Sequence, residues 1–216
     1  MLKLLVIEDH VLVREGLVQT LRQLDDEVDI QEASDSETAF ALLEEVDDFD
    51  LVLLDLALPG IDGLTCLRMF RKRHPAMPVV IVSAYDDTGT VQHALAEGAA
   101  GFVPKAYSGD RLLDALRKVL DGDLYIPEQG LSSGRDIGLA IPVPAKGVSP
   151  GDIGLTARQT DVVALMVKGF SNREIGEMLG LAEGTVKIHV TAIFKALGVS
   201  SRTQVLVAVA RKGIVL

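Results

Sequence analysis

The stretch at residues 47–63, DDFDLVLLDLALPGIDG, constrains this chain more than any other. A short run of Leu and Val, bounded by acidic residues and a Pro-Gly turn, reads as a strand buried on both faces, the place of an inner strand in a parallel sheet. Asp55 ends that strand. In open α/β sheets ligands gather beyond the carboxyl ends of the strands, so a carboxylate placed there points into a crevice. Asp55 is therefore the first candidate for a reactive group.

The pattern around it repeats. Residues 2–7 form another apolar strand, ending in Glu8 and Asp9, and residues 10–24 carry Val11, Leu12, Leu17, Val18, Leu21 and Leu24 at helical spacing. VDIQEAS reads as a strand and DSETAFALLEEV as a helix opened by Asp35. After the PGIDG turn, LTCLRMFRKRH is a helix with a basic last turn, stopped by Pro75. PVVIVSA, DTGTVQHALAEG, GFVPK and SGDRLLDALRKVLDG then alternate strand and helix. Five strands alternating with five helices predict a doubly wound α/β domain on a parallel sheet.

That topology gathers Glu8, Asp9, Asp55, Ser83 and Lys105 at strand ends around one crevice. Clustered carboxylates repel one another unless a cation shares the site. An all-oxygen donor set selects a hard ion, and Mg²⁺ held by carboxylates, phosphate oxygens and waters fits. Lys105 adds a point charge suited to phosphate. Taken singly, each of these residues is an ordinary turn or surface group, and only their joint placement carries weight. His10, beside the acids, suggests a ligand or phosphate carrier, but a surface residue at a helix start is the better reading.

At 216 residues and 48% hydrophobic content the chain can bury a substantial core. Charge splits it in two: residues 1–124 carry a net −13 and residues 155–216 a net +4, which confines any basic partner surface to the C-terminal end. Residues 122–152, rich in Gly, Pro and Ser, read as a linker between domains at 1–121 and 153–216. The single cysteine, Cys66, excludes an internal disulfide and fits a reducing cytoplasm as core filler. No run of the ~20 apolar residues that a membrane helix needs is present, nor a signal-peptide pattern, so no membrane partner is expected.

In the C-terminal segment Thr156 with Gln159, and Ser171 with Glu174, read as capping boxes opening two helices, the second ending at Gly180. Residues 182–197 form a third helix, with Val186, Val190, Ile193, Phe194 and Leu197 inward and Thr185, Lys187, His189, Thr191 and Lys195 outward. Two short helices joined by a glycine turn, the second rich in cationic and hydroxyl groups, read as a helix-turn-helix that enters a major groove. Spacing alone leaves a small helical bundle with a solvated basic face as the alternative.

Two resemblances sharpen this reading. Glu8, Asp9, Asp55, Ser83 and Lys105, with DLALPGIDG after the strand and VSA around Ser83, resemble the receiver domain of two-component response regulators. The resemblance implies that Asp55 accepts a phosphoryl group from a sensor histidine kinase, and that Glu8, Asp9, Asp55 and the backbone carbonyl of Ala57 hold Mg²⁺. It also implies that Ser83 bonds the new phosphoryl oxygen and that Phe102 rotates inward as Ser83 moves. LTARQ, GFSNREIGEMLGL and GTVKIHVTAIFKALGVSSRTQ resemble the LuxR-type DNA-binding domain of the NarL/FixJ class. That implies double-stranded DNA as a partner: Lys187, Ile188 and Thr191 read base edges, while Thr185, His189 and Lys195 set the backbone. Arg202 is expected near the DNA backbone or a partner, and Val205, Leu206 and Val209 as an apolar strip for a homodimer.

The whole chain thus reads as a cytoplasmic transcription regulator switched by phosphorylation at Asp55, with dimerisation on activation. The alternative is a phosphorylation-independent DNA-binding protein whose receiver is a dimerisation platform. An aspartyl phosphatase would want a second carboxylate two residues after Asp55, where Ala57 stands. Turnover of an external substrate is therefore not expected.

Overall fold

The two-residue alternation of side chains along a strand decides how the first half of the chain packs. The computed structural model describes residues 1–46, 49–127 and 148–214. Its strands are β1 (Leu2–Ile7), β2 (Val28–Ala33), β3 (Leu51–Leu54), β4 (Val79–Ser83) and β5 (Gly101–Pro104). They form one parallel sheet in the order β2-β1-β3-β4-β5. Helices α1 (Val11–Leu21), α2 (Ser36–Glu45), α3 (Gly63–Arg73), α4 (Thr88–Ala96) and α5 (Gly109–Leu120) connect them. This is the doubly wound arrangement that the sequence predicts.

Each inner strand feeds two cores. Leu5, Ile7, Val52, Leu54, Ile81 and Phe102 pack on one face with α2, α3 and α4 through Ala39, Leu67, Phe70 and Val91. Leu4, Val6, Leu51, Leu53, Val80 and Val103 pack on the other with α1 and α5 through Leu21, Leu112 and Leu116. Each fully buried leucine contributes about 1.5–3 kcal/mol relative to an exposed one. Cys66 is wholly inside, where burial pushes its thiol up to about 12 and keeps it unreactive.

The chain order along the sheet reverses between β1 and β3, so the crevice of a doubly wound sheet opens where those two strands end. Glu8, Asp9 and Asp55 lie at that opening. The backbone there is closely fitted. Asp62 caps α3 by accepting from the Leu64 and Thr65 N–H groups, and Gly63 lies so near the preceding loop that a Cβ would stand 2.4 Å from Leu56 Cα and 2.7 Å from the Asp55 carbonyl.

The chain divides into two compact units, Met1–Gly134 and Arg135–Leu216. The first runs past the expected end at residue 121, because Tyr125 pairs with Gly101 beside β5 and Ile126 packs against the α2–α4 core. Residues 128–147 of the expected linker lie outside the described residues. In the second unit a short 3-10 turn (Pro150–Ile153) precedes α6 (Ala157–Val167), α7 (Asn172–Leu179), α8 (Glu183–Leu197) and α9 (Arg202–Lys212). Both expected capping boxes, Thr156/Gln159 and Ser171/Glu174, are formed. Val148 pairs with Ile214, so this unit begins ahead of the expected residue 153. Among the described residues, no helix is long and apolar enough to cross a membrane.

Gly63→Ala should lower stability by about 1–3 kcal/mol, since the clash is with backbone that has no rotamer to relax. The check is the urea midpoint, and an unchanged midpoint would show that the loop before α3 yields freely.

Candidate functional site

The sheet itself places the acidic groups. Asp55 donates its N–H to the Ile7 carbonyl at 3.0 Å, and Glu8 donates to Ala33 at 3.0 Å, so the ladder continues one residue beyond β1 and β3. From the other side, Lys105 donates its N–H to the Ser83 carbonyl at 2.8 Å, and its side chain reaches back across the crevice. Lys105 Nζ lies 2.6 Å from Glu8 Oε2 and 2.9 Å from Asp55 Oδ2. Glu8 and Asp55 are only 1% and 2% exposed. Burial alone pushes the Lys105 ammonium down, but hydrogen bonds and charge from Glu8 and Asp55 outweigh it and hold its pKa above the ordinary lysine value.

The second oxygen of Asp55 is different. Oδ1 is buried and has no hydrogen-bond partner. A buried carboxylate oxygen left unpaired is costly, and a cation or an incoming phosphoryl group would satisfy it. Glu8, Asp9, His10 and Asp55 each offer a ligand atom within 4.8 Å of the others. The donor set and the orphaned oxygen fit a hard divalent ion.

Sequence reasoning set His10 aside and missed Arg14. His10 is more than a surface residue at a helix start: its ring is mostly exposed, yet Nδ1 lies 2.8 Å from Asp9 Oδ1 and 3.1 Å from Glu8 Oε1. Arg14, one turn into α1, donates through Nη1 to the Glu8 carbonyl at 2.7 Å and through Nε to Glu32 Oε2 at 3.1 Å. The His10 contacts are local, to its two neighbours in the chain, whereas no sequence motif marks those of Arg14, because the fold creates them.

Ser83 is fully buried and its Oγ accepts the Tyr85 N–H at 3.1 Å. Ala57 is exposed in the loop after β3. Phe102 corrects an expectation. Its ring is already wholly buried with Ile81, Val91 and Ala94, so no outward ring is left to rotate inward.

In the second unit α7 and α8 form the expected helix-turn-helix. Gly180 closes α7 with φ +65°, and Gly176 lies so close that a Cβ would stand 2.8 Å from the Leu181 carbonyl. Along α8, Val186, Val190, Ile193, Phe194 and Leu197 are buried as predicted. Lys187, Ile188, Thr191 and Lys195 are exposed, Ile188 at 69%, and Thr185 and His189 are half-buried. Lys187 Nζ lies 3.6 Å from Glu183 Oε1 one turn back, and Thr191 Oγ1 donates to the Lys187 carbonyl at 3.0 Å. Thr191 therefore offers a partner its oxygen as an acceptor.

Two expectations in α9 are overturned. Val205 and Val209 are 0% and 8% exposed, inside the helical core, so they form no free apolar strip; Leu206 alone of the three reaches the surface. Their spacing put them on one face, and that face packs inward. Arg202 bonds the Met166 and Phe170 carbonyls, closing the C-terminal end of α6, so its guanidinium serves the fold. Arg158 does the same for α7 through the Leu179 carbonyl.

Fold and pocket together define a receiver joined to a helix-turn-helix DNA-binding module. Family models agree on both parts: the response regulator receiver domain matches residues 4–117, and the family described as bacterial regulatory proteins, luxR family, matches residues 154–209. The chain belongs to the two-component response regulators with a LuxR-type DNA-binding domain, and it is a DNA-binding transcription regulator. It is 36% identical over 209 residues to the glycerol metabolism activator of Pseudomonas putida, covering 96% of this chain and 95% of that one. It is 32% identical over 203 residues to the nitrate/nitrite response regulator protein NarL of Escherichia coli (strain K12), covering 93% and 91%. Among solved structures it resembles a LuxR-family two-component response regulator from Aurantimonas, with 26% identity and a TM-score of 0.55 over 59% of this chain and 91% of that one. It shares its fold with the RcsB response regulator of Salmonella typhimurium, at 22% identity and a TM-score of 0.55 over 95% and 96%.

With Lys187 reading base edges and Lys195 the DNA backbone, as expected from the resemblance, Lys187→Ala should cost about 1–3 kcal/mol of discrimination at the base pairs it meets, whereas Lys195→Ala should weaken all sequences alike and reduce the salt slope by about 1. Binding titrations on a site and its single-base variants, at several salt concentrations, separate the two. Equal losses on every sequence for both variants would undo the assignment.

Proposed function

We propose that Asp55 is the phosphoacceptor of this regulator, that a sensor histidine kinase supplies the phosphoryl group, and that its arrival controls self-association and DNA binding. The observation that carries this is the asymmetry of the Asp55 carboxylate: Oδ2 is paired with Lys105 while buried Oδ1 has no partner. An oxygen so placed is a nucleophile held in one orientation. In the transfer, Asp55 Oδ1 forms a bond to phosphorus as the phosphorus–nitrogen bond of the donor histidine breaks, and the imidazole leaves with that electron pair. Lys105 then neutralises charge on the transferred oxygens.

Glu8, Asp9, Asp55 and the Ala57 carbonyl would hold Mg²⁺, which supplies further charge neutralisation when bound. The Ser83 hydroxyl, already polarised toward the backbone of Tyr85, can turn to the new phosphoryl oxygen. Its carbonyl holds the Lys105 N–H, so movement at Ser83 is passed directly to the end of β5. The active form is a homodimer reading two-fold half-sites, with Leu206 the surface residue left from the α9 strip. The setting is the cytoplasm, where the chromosome lies. No external substrate is turned over; the phosphoryl group is received and later lost to water.

Incubation with Mg²⁺ and acetyl phosphate should place one acid-stable, alkali-labile phosphoryl group on the wild-type chain and none on Asp55→Asn. Incorporation into the Asn variant at the wild-type level would remove Asp55 from this role.

A further inference from the structure

The acid turn after β1 is held by hydrogen bonds on both sides of its backbone. Glu8 N–H donates to Ala33, and the Glu8 carbonyl accepts from Arg14 Nη1 at 2.7 Å. Because a peptide unit is planar, fixing the Glu8 carbonyl fixes the plane that carries the Asp9 N–H and Cα, and so sets where the Asp9 side chain starts from. Arg14 is itself anchored: its side chain is 17% exposed, and Nε donates to Glu32 Oε2 at the end of β2. A planar guanidinium can serve two acceptors at fixed angles, which an ammonium cannot.

We infer that Arg14 is a positioning residue for the divalent-cation site, acting through the Glu8–Asp9 peptide, with Glu32 as its anchor. This rests on the reading of Glu8, Asp9 and Asp55 as the cation ligands. The role is opposite in sign to its charge. A guanidinium near three carboxylates repels an incoming cation, so its removal on electrostatic grounds alone tightens cation binding. Its removal as a positioning group loosens the Asp9 carboxylate and weakens binding, as loss of groups that orient metal ligands does by about 10–100-fold.

The test is calorimetric titration of the full chain with Mg²⁺ alone, without any phosphodonor. Arg14→Gln should raise the Mg²⁺ Kd about tenfold or more, Arg14→Lys should recover only part of the loss, and Glu32→Gln, at a half-exposed position, should shift Kd by less in the same direction. With acetyl phosphate as donor, the loss should vanish at saturating Mg²⁺. A tighter or unchanged Kd in Arg14→Gln overturns the inference, as does a loss fully restored by lysine. If Arg14→Gln does not fold, an unchanged Kd in Glu32→Gln overturns it instead. A wild-type chain that binds no Mg²⁺ would overturn the cation-site reading beneath it, a result distinct from either of these.

Discussion

One ammonium group shared between two buried carboxylates organises the receiver. Lys105 reaches from the end of β5 to Glu8 and Asp55, which leave β1 and β3 side by side, and so ties three strands together at the point where the chain order reverses. Removing one member of such a set leaves uncompensated charge, at a cost of about 3–5 kcal/mol when burial is complete. The same set is poised for change. A phosphoryl group on Asp55, as proposed, would replace the single carboxylate charge with about −1.5 to −2, a net gain of up to about one negative charge beside a lysine already divided between two partners. On that proposal Lys105 would redistribute, and its N–H bond to the Ser83 carbonyl would link that change to β4 and β5.

The two units do complementary work with opposite charge. The receiver is strongly acidic, which suits the cation-binding site proposed for it. The small helical unit is basic and exposes Lys187, Ile188, Thr191 and Lys195 along one helix. For phosphate at one unit to govern the other nearly completely, it must favour one state by about 5.5 kcal/mol over its rival. A few charge-assisted hydrogen bonds at about 1.5–3 kcal/mol each reach that range.

Much of this was legible in the sequence, for physical reasons. Strands buried on both faces write themselves as uninterrupted runs such as LVLL, and acids that end such runs have nowhere to point but the crevice. Capping boxes are local, so Thr156/Gln159 and Ser171/Glu174 could be read directly. What escaped depends on contacts between distant segments. Nothing local says that Arg14 meets the Glu8 carbonyl, or that Arg202 closes α6 and not a DNA contact. Val205 and Val209 show the limit of periodicity: it finds the apolar face of a helix without saying whether that face meets its own domain or a partner. Phe102 shows another, since a resemblance suggests a motion while the packing of the core decides where the ring stands.

The central claim is that chemistry at Asp55 governs DNA binding by the other unit. It is tested most directly by the affinity of the full chain for its operator, measured at one salt concentration with Mg²⁺, with and without acetyl phosphate. The account predicts tighter, dimer-dependent binding with the donor in the wild type and no response in Asp55→Asn. Equal affinity in every condition would contradict it and reduce the receiver to a platform that holds the DNA-binding unit without switching it.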